Sequence, residues 1–115
     1  MEIEIAGRGI EVDGAIREEI HKRFERVGRQ VSDLARLEVV LWEEANPKIN
    51  DRCVAEANLR LKGVTLHAEE RSPRMPATVK ALSKDIARQV KRHRELRRKR
   101  SQTRRLVGRF RGREA

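Results

Sequence analysis

The chain has 115 residues and carries 28 Lys and Arg against 18 Asp and Glu, a formal net charge of +10, a length that allows one domain and excludes a two-domain enzyme. Only 37% of the residues are hydrophobic and 40% are charged, so the core must be small: one sheet backed by two helices is about what this length can bury. No apolar run approaches the roughly 18 residues of a membrane span, and the start Met1-Glu2-Ile3-Glu4-Ile5 lacks a signal peptide's basic-then-apolar profile, which predicts a cytoplasmic protein with no membrane partner.

In chain order, Glu2 to Ala6 alternates polar and apolar and reads as a half-buried strand, closed by a turn at Gly7 and Gly9. Asp13 is the expected N-cap of a helix over about 14–29, with Ile16, Ile20, Phe24, Val27 and Val31 on one stripe. Lys22, Arg26 and Arg29 line its far side. Leu37, Val39 and Leu41 alternate through a second strand that ends before Asn46-Pro47. Cys53 to Leu61 and Val64 to Ala68 form a hairpin across Lys62-Gly63, with alanines and leucines on one face. After Ser72-Pro73, the positions Met75, Val79, Leu82, Ile86, Val90 and His93 trace a second helix to about residue 96, with Pro76 in its first turn. The predicted fold is α+β, in the order β-α-β-β-β-α. The strands alternate rather than being apolar throughout, so both helices belong on one face of a four-stranded sheet and the other face is wet.

The charge is divided unevenly along the chain. Residues 1–73 hold 12 basic and 15 acidic side chains, whereas residues 74–115 hold 16 and 3. Such a block implies a polyanionic partner or a basic arm. Lys80, Lys84, Arg88, Lys91 and Arg92 follow one another along the second helix, extended by Arg94, Arg97 and Arg98 and interrupted only by Asp85 and Glu95. Like charges at i, i+4 repel, so this run destabilises the helix until a polyanion neutralises it. An ordinary solvated face would mix signs, and the run therefore points to nucleic-acid phosphates. In the first helix Glu18, Glu19 and Glu25 accompany the cations, and a solvated face explains that pattern equally well. Residues 1–98 are expected to form the domain and 99–115 a basic tail, disordered from Ser101 onward.

Base readout is not expected. The aromatics are Phe24, Trp42 and Phe110, with no tyrosine, and Phe24 belongs to the core stripe, so no stacking platform is present. Phosphate contacts from two helices suit structured RNA recognised by shape, although charge alone leaves DNA open. His21, His67 and His93 are scattered. Glu43-Glu44 and Glu69-Glu70 point to opposite faces if they lie in strands, and neither pair reads as an acid/base dyad. Cys53 alone makes neither an intramolecular disulfide nor a zinc site, and no phosphate loop or nucleophile elbow occurs. No enzyme, cofactor, metal or small-molecule substrate is expected.

Four separated motifs carry a resemblance. Gly7-Arg8-Gly9-Ile10-Glu11-Val12 with Ala15-Ile16-Arg17-Glu18, Val54-Ala55-Glu56-Ala57, Leu66-His67-Ala68-Glu69, and Met75 and Ala77 followed by Arg88-Gln89-Val90-Lys91-Arg92-His93-Arg94 resemble, in unbroken order over residues 2–98, the ribosome hibernation-promoting factors. These proteins are also described as ribosome-associated inhibitors or sigma-54 modulation proteins. The resemblance implies the same β-α-β-β-β-α fold, similar to double-stranded-RNA-binding domains. It also implies binding to the small ribosomal subunit and the 70S ribosome, in the channel of messenger RNA and of the A-site and P-site transfer RNAs, with translation inhibited under stress or in stationary phase. By position it implies rRNA contacts from Lys84, Arg88, Lys91, Arg92 and Arg94, and from Lys22, Arg26 and Arg29. The chain departs from the family at Pro76, where an aromatic residue is usual, and at Lys80 and Lys84, where acidic residues are common. Long members carry a C-terminal dimerisation domain, and the sequence leaves open whether this chain is a short form. Two alternatives stay open: a structured-RNA-binding module without ribosome preference, and a regulator of another protein acting through the wet sheet face with Val40 and Trp42.

Overall fold

The computed structural model describes residues 1–114, with side chains through residue 107. The elements are β1 (Glu2–Arg8), α1 (Gly14–Gln30), β2 (Arg36–Glu43), β3 (Cys53–Leu61), β4 (Val64–Ser72) and α2 (Met75–Glu114). They form a four-stranded sheet in the order β1-β2-β3-β4, parallel between β1 and β2 and antiparallel elsewhere. The parallel pair needs a crossover, which α1 supplies. Two short turns follow from glycine. Gly63 takes φ +79° in the two-residue connection of β3 to β4. At Gly7 a Cβ would sit 2.3 Å from the Ile10 carbonyl oxygen, so only glycine lets β1 run on to Arg8, past the expected end at Ala6, and fold back at once.

The predicted core stripes all face inward. Ile20, Phe24 and Val27 of α1 and Val79, Leu82, Ile86 and Val90 of α2 are buried against Leu37, Val39, Leu41, Ala55, Ala57 and Leu59. Both helices thus cover one sheet face, as the alternation in the strands requires. Asp13 caps α1, its Oδ1 accepting from the Ile16 N–H at 2.9 Å. The start of α2 is pinned by a side chain. Thr78, fully buried, has one hydroxyl proton that the carbonyls of Cys53, 3.1 Å from Oγ1, and Arg74, 3.0 Å away, share as acceptors, and Oγ1 lies within hydrogen-bonding distance of Ser72 Oγ. A buried hydroxyl satisfied in this way fixes where the helix leaves the sheet.

The expected end of the second helix near residue 96 is corrected: α2 continues to Glu114, and only Ala115 falls outside the described residues. The reason is local. Arg, Lys, Gln and Leu are strong helix formers and no proline follows Pro76. Packing does not contribute, since every described side chain after Val90 is exposed except the half-buried His93. A 40-residue helix is about 60 Å long, and the molecule accordingly measures 69 × 28 × 18 Å. Its radius of gyration is 18.6 Å, against about 13 Å for a compact chain of this length.

Candidate nucleic-acid interface

All eleven cations singled out from the sequence are exposed. On α2 none of Lys80, Lys84, Arg88, Lys91, Arg92, Arg94, Arg97 or Arg98 makes an ion pair among the described residues. On α1, Lys22 and Arg26 are likewise unpaired, but Arg29 is held by Glu25 at 3.1 Å. That pair is solvent-exposed, so it contributes little and yields readily to a phosphate.

The run on α2 is split by the tertiary structure into two flanks. Lys80 turns toward α1, where it shares a shallow hollow of about 280 Å³ with Arg23, Glu19, Arg74 and Pro76. Lys84, Lys91 and Arg98 continue that flank at spacings of four and seven residues. Arg94 and Arg97 close its far end, beside Gln30 at the end of α1. Arg88 is near enough to Glu70 of β4 for its charge to act on that carboxyl, and Arg92 lies one turn further along. Glu70 is held above the ordinary carboxylate range, first by burial, then by the hydrogen bond and the charge of Asp85, with Arg88 opposing. Gln89 fastens this flank by donating from Nε2 to the His67 carbonyl at 2.7 Å and to Asp85 Oδ1 at 3.0 Å.

Sequence reasoning missed Arg23, Arg74, Lys62, Arg36 and Arg60. Arg23 binds Glu19 at 2.7 Å, and the guanidinium lowers the Glu19 pKa. The spacing of Glu19 and Arg23, i and i+4, was legible. Lys62, Arg36 and Arg60 belong to the hairpin and the sheet, and only folding brings them beside Arg94 and Arg97. No sequence signal joins them.

The open sheet face is built differently. Arg36 pairs with Glu2 and Glu4, Arg60 with Glu38, and Arg71 with Glu44 and Glu69, at 3.3–3.9 Å. The Arg8 guanidinium stacks over Trp42, 4.7 Å from the ring centroid, and His67 Nδ1 meets Asn58 Oδ1 across the strands at 2.7 Å. The cysteine is structural in its surroundings: Cys53 Sγ is 3.7 Å from the Pro73 carbonyl, and burial, then the charge of Glu43, push its thiol pKa up. Among the described residues no three His, Cys, Asp or Glu side chains gather as metal ligands, and no helix is long and apolar enough to cross a membrane.

The family model described as Sigma 54 modulation protein / S30EA ribosomal protein matches residues 3–98. The chain belongs to this family. Among its relatives are proteins named ribosome hibernation promoting factor from Salmonella typhimurium, 28% identical over 95 residues that cover 83% of this chain and 95% of the relative, and from Acinetobacter guillouiae, 27% identical over 101 residues covering 84% and 89%. In three dimensions the chain is similar to the N-terminal domain of Thermus thermophilus Protein Y, with a TM-score of 0.70 and 26% identity over 81% of this chain and 99% of that one. A ribosomal subunit interface protein from Coxiella burnetii shares the fold, with a TM-score of 0.70 at 22% identity over 83% and 99%. The match ends at residue 98, so α2 beyond it lies outside the matched residues.

Proposed function

We propose that this protein is a ribosome hibernation factor: it occupies the small ribosomal subunit in the channel used by messenger RNA and the A-site and P-site transfer RNAs, and so holds the ribosome idle under stress. The observation that carries this reading is the unpaired cationic run of α2, borne by a chain of this family. Eight cations without carboxylate partners, set along one rigid helix, suit phosphates at fixed positions in structured rRNA. Lys22, Arg26 and Arg29 add a second row from α1. The action is steric, and no reaction is catalysed. Sedimentation through sucrose gradients tests it. The protein should co-migrate with small subunits and 70S particles at moderate salt, and its absence from those fractions would sink the proposal. If unrelated duplex RNA competes at equal affinity, a general structured-RNA-binding role replaces it.

A further inference from the structure

At the end of the helix layer, a groove of about 510 Å³ opens between the end of α1, the start of β2, the β3–β4 turn and the middle of α2. Its apolar wall comes from Val31, Leu34, Leu61 and Val90, with His93 beside them, and its cations are Arg36, Arg60, Lys62, Arg94 and Arg97. Lys62, Arg94 and Arg97 have no carboxylate partner among the described residues. Leu34 at the mouth is 90% exposed, against 45–55% for the other exposed large hydrophobics Leu96, Leu106 and Val107. This exposure belongs to a held conformation. The Leu34 N–H donates to Ser32 Oγ at 3.1 Å and the Ala35 N–H to the Ser32 carbonyl at 3.0 Å, so the turn presents the leucine to water.

We infer that this groove is a subsite for one unpaired nucleotide of RNA, its base lying against Leu34 and Leu61 and its flanking phosphates on Lys62, Arg94 and Arg97. The inference rests on the RNA-binding reading above and adds a feature to it: local recognition of an extruded base beside the phosphate contacts. Three observations select this occupant. The volume falls in the range of pockets for small ligands and suits one nucleotide, not an extended segment. An apolar wall ringed by cations complements a group with a flat, weakly polar face and anionic ends. Arg94 and Arg97 are shared with the cationic run, so a backbone lying along α2 reaches the groove without a break. Unpaired nucleotides are the part of a folded RNA whose bases are free to leave the stack.

Fluorescence anisotropy of the full chain with two RNA hairpins, identical but for one bulged nucleotide, tests this. The wild-type protein should bind the bulged hairpin about tenfold more tightly, a gain that removing roughly 50–60 Å² of apolar surface from water supplies. Leu34→Ser, at a position the core does not use, should abolish the preference and leave affinity for the paired hairpin unchanged. Lys62→Gln should weaken the bulged complex more than the paired one. Equal affinity of the wild type for both hairpins, or a preference that survives Leu34→Ser, overturns the subsite. AMP or GMP binding as tightly as the bulged hairpin reassigns the groove to a free nucleotide, and displacement of the bulged hairpin by an acidic leucine-containing peptide, with AMP inert, reassigns it to a protein partner; each overturns the inference. Co-sedimentation with ribosomes but no hairpin preference removes the subsite alone, whereas the converse removes the ribosome reading alone.

Discussion

Across the open face of the sheet, arginines and glutamates are interspersed, and Arg36, Arg60 and Arg71 each have at least one carboxylate within 4 Å. Along α2, on the other side of the sheet, eight cations singled out from the sequence have none. Both surfaces are exposed and highly charged, so solubility does not separate them. What separates them is whether the protein satisfies its own charges. On the sheet face these three arginines find carboxylates within the protein itself. The helix face carries uncompensated repulsion that is relieved only when a polyanion arrives.

The largest test of this contrast is charge reversal. Arg88→Glu, Lys91→Glu and Arg92→Glu together should lower ribosome affinity by about a hundredfold or more, as three phosphate contacts turn repulsive. Reversing Arg71 on the sheet face, by Arg71→Glu, should change binding less than threefold in the same sedimentation assay. Comparable losses from both faces would break the distinction.

A second test reads the salt dependence. Replacing Lys80 and Lys84 with Gln should reduce the slope of log affinity against log salt by about two, one for each neutralised phosphate. Arg71→Gln should leave the slope where it is. If removing the two lysines changes affinity but not slope, they act through helix stability and not through phosphates.

The sheet face should show its role in stability. Arg8→Ala removes the cation–π contact with Trp42 and should cost about 0.5–1 kcal/mol in chemical denaturation, with ribosome binding intact. Loss of binding without loss of stability would make the Arg8–Trp42 corner part of the interface.

The smallest expected effect sharpens the boundary between the faces, where β4 meets α2. Glu70 has a raised pKa in the folded protein, so the folded state holds its proton more tightly than the unfolded state does. Stability therefore falls as pH rises from the ordinary carboxylate value through the raised one. Glu70→Gln should remove that decline, and its thermal midpoint should gain on the wild type as pH increases through this window. A parallel shift at every pH would contradict the raised Glu70 pKa.

Much of the fold was legible because periodicity survives in a short chain. Ile20, Phe24 and Val27 on α1, Val79 to Val90 on α2 and the alternating strands all sit where their spacing puts them, since an amphipathic element has one low-energy way to meet a core. The end of α2 was misread for a related reason. Basic, polar composition after Glu95 resembles a solvated tail, yet the same residues have high helix propensity, and a preceding packed helix removes the cost of nucleation.

The candidate site was legible only in part. The cations of α2 announced themselves by their number and by the scarcity of acids around them, and no folding was needed to see that they lack local partners. Their division into an α1 flank, with Lys80 and Arg94, and a β4 flank, with Arg88, was not visible, because it depends on which neighbours the core packing sets beside each turn. The same holds for the groove where Lys62 of the hairpin turn, Leu34 after α1 and Arg97 of α2 meet. By itself, then, the sequence determined the element order, the buried stripes and the sign and place of the uncompensated charge, all of which follow from periodicity and composition along one strand or helix. Only the tertiary structure decided which cations are neutralised and which residues share a cavity, because both require distances between segments far apart in the chain.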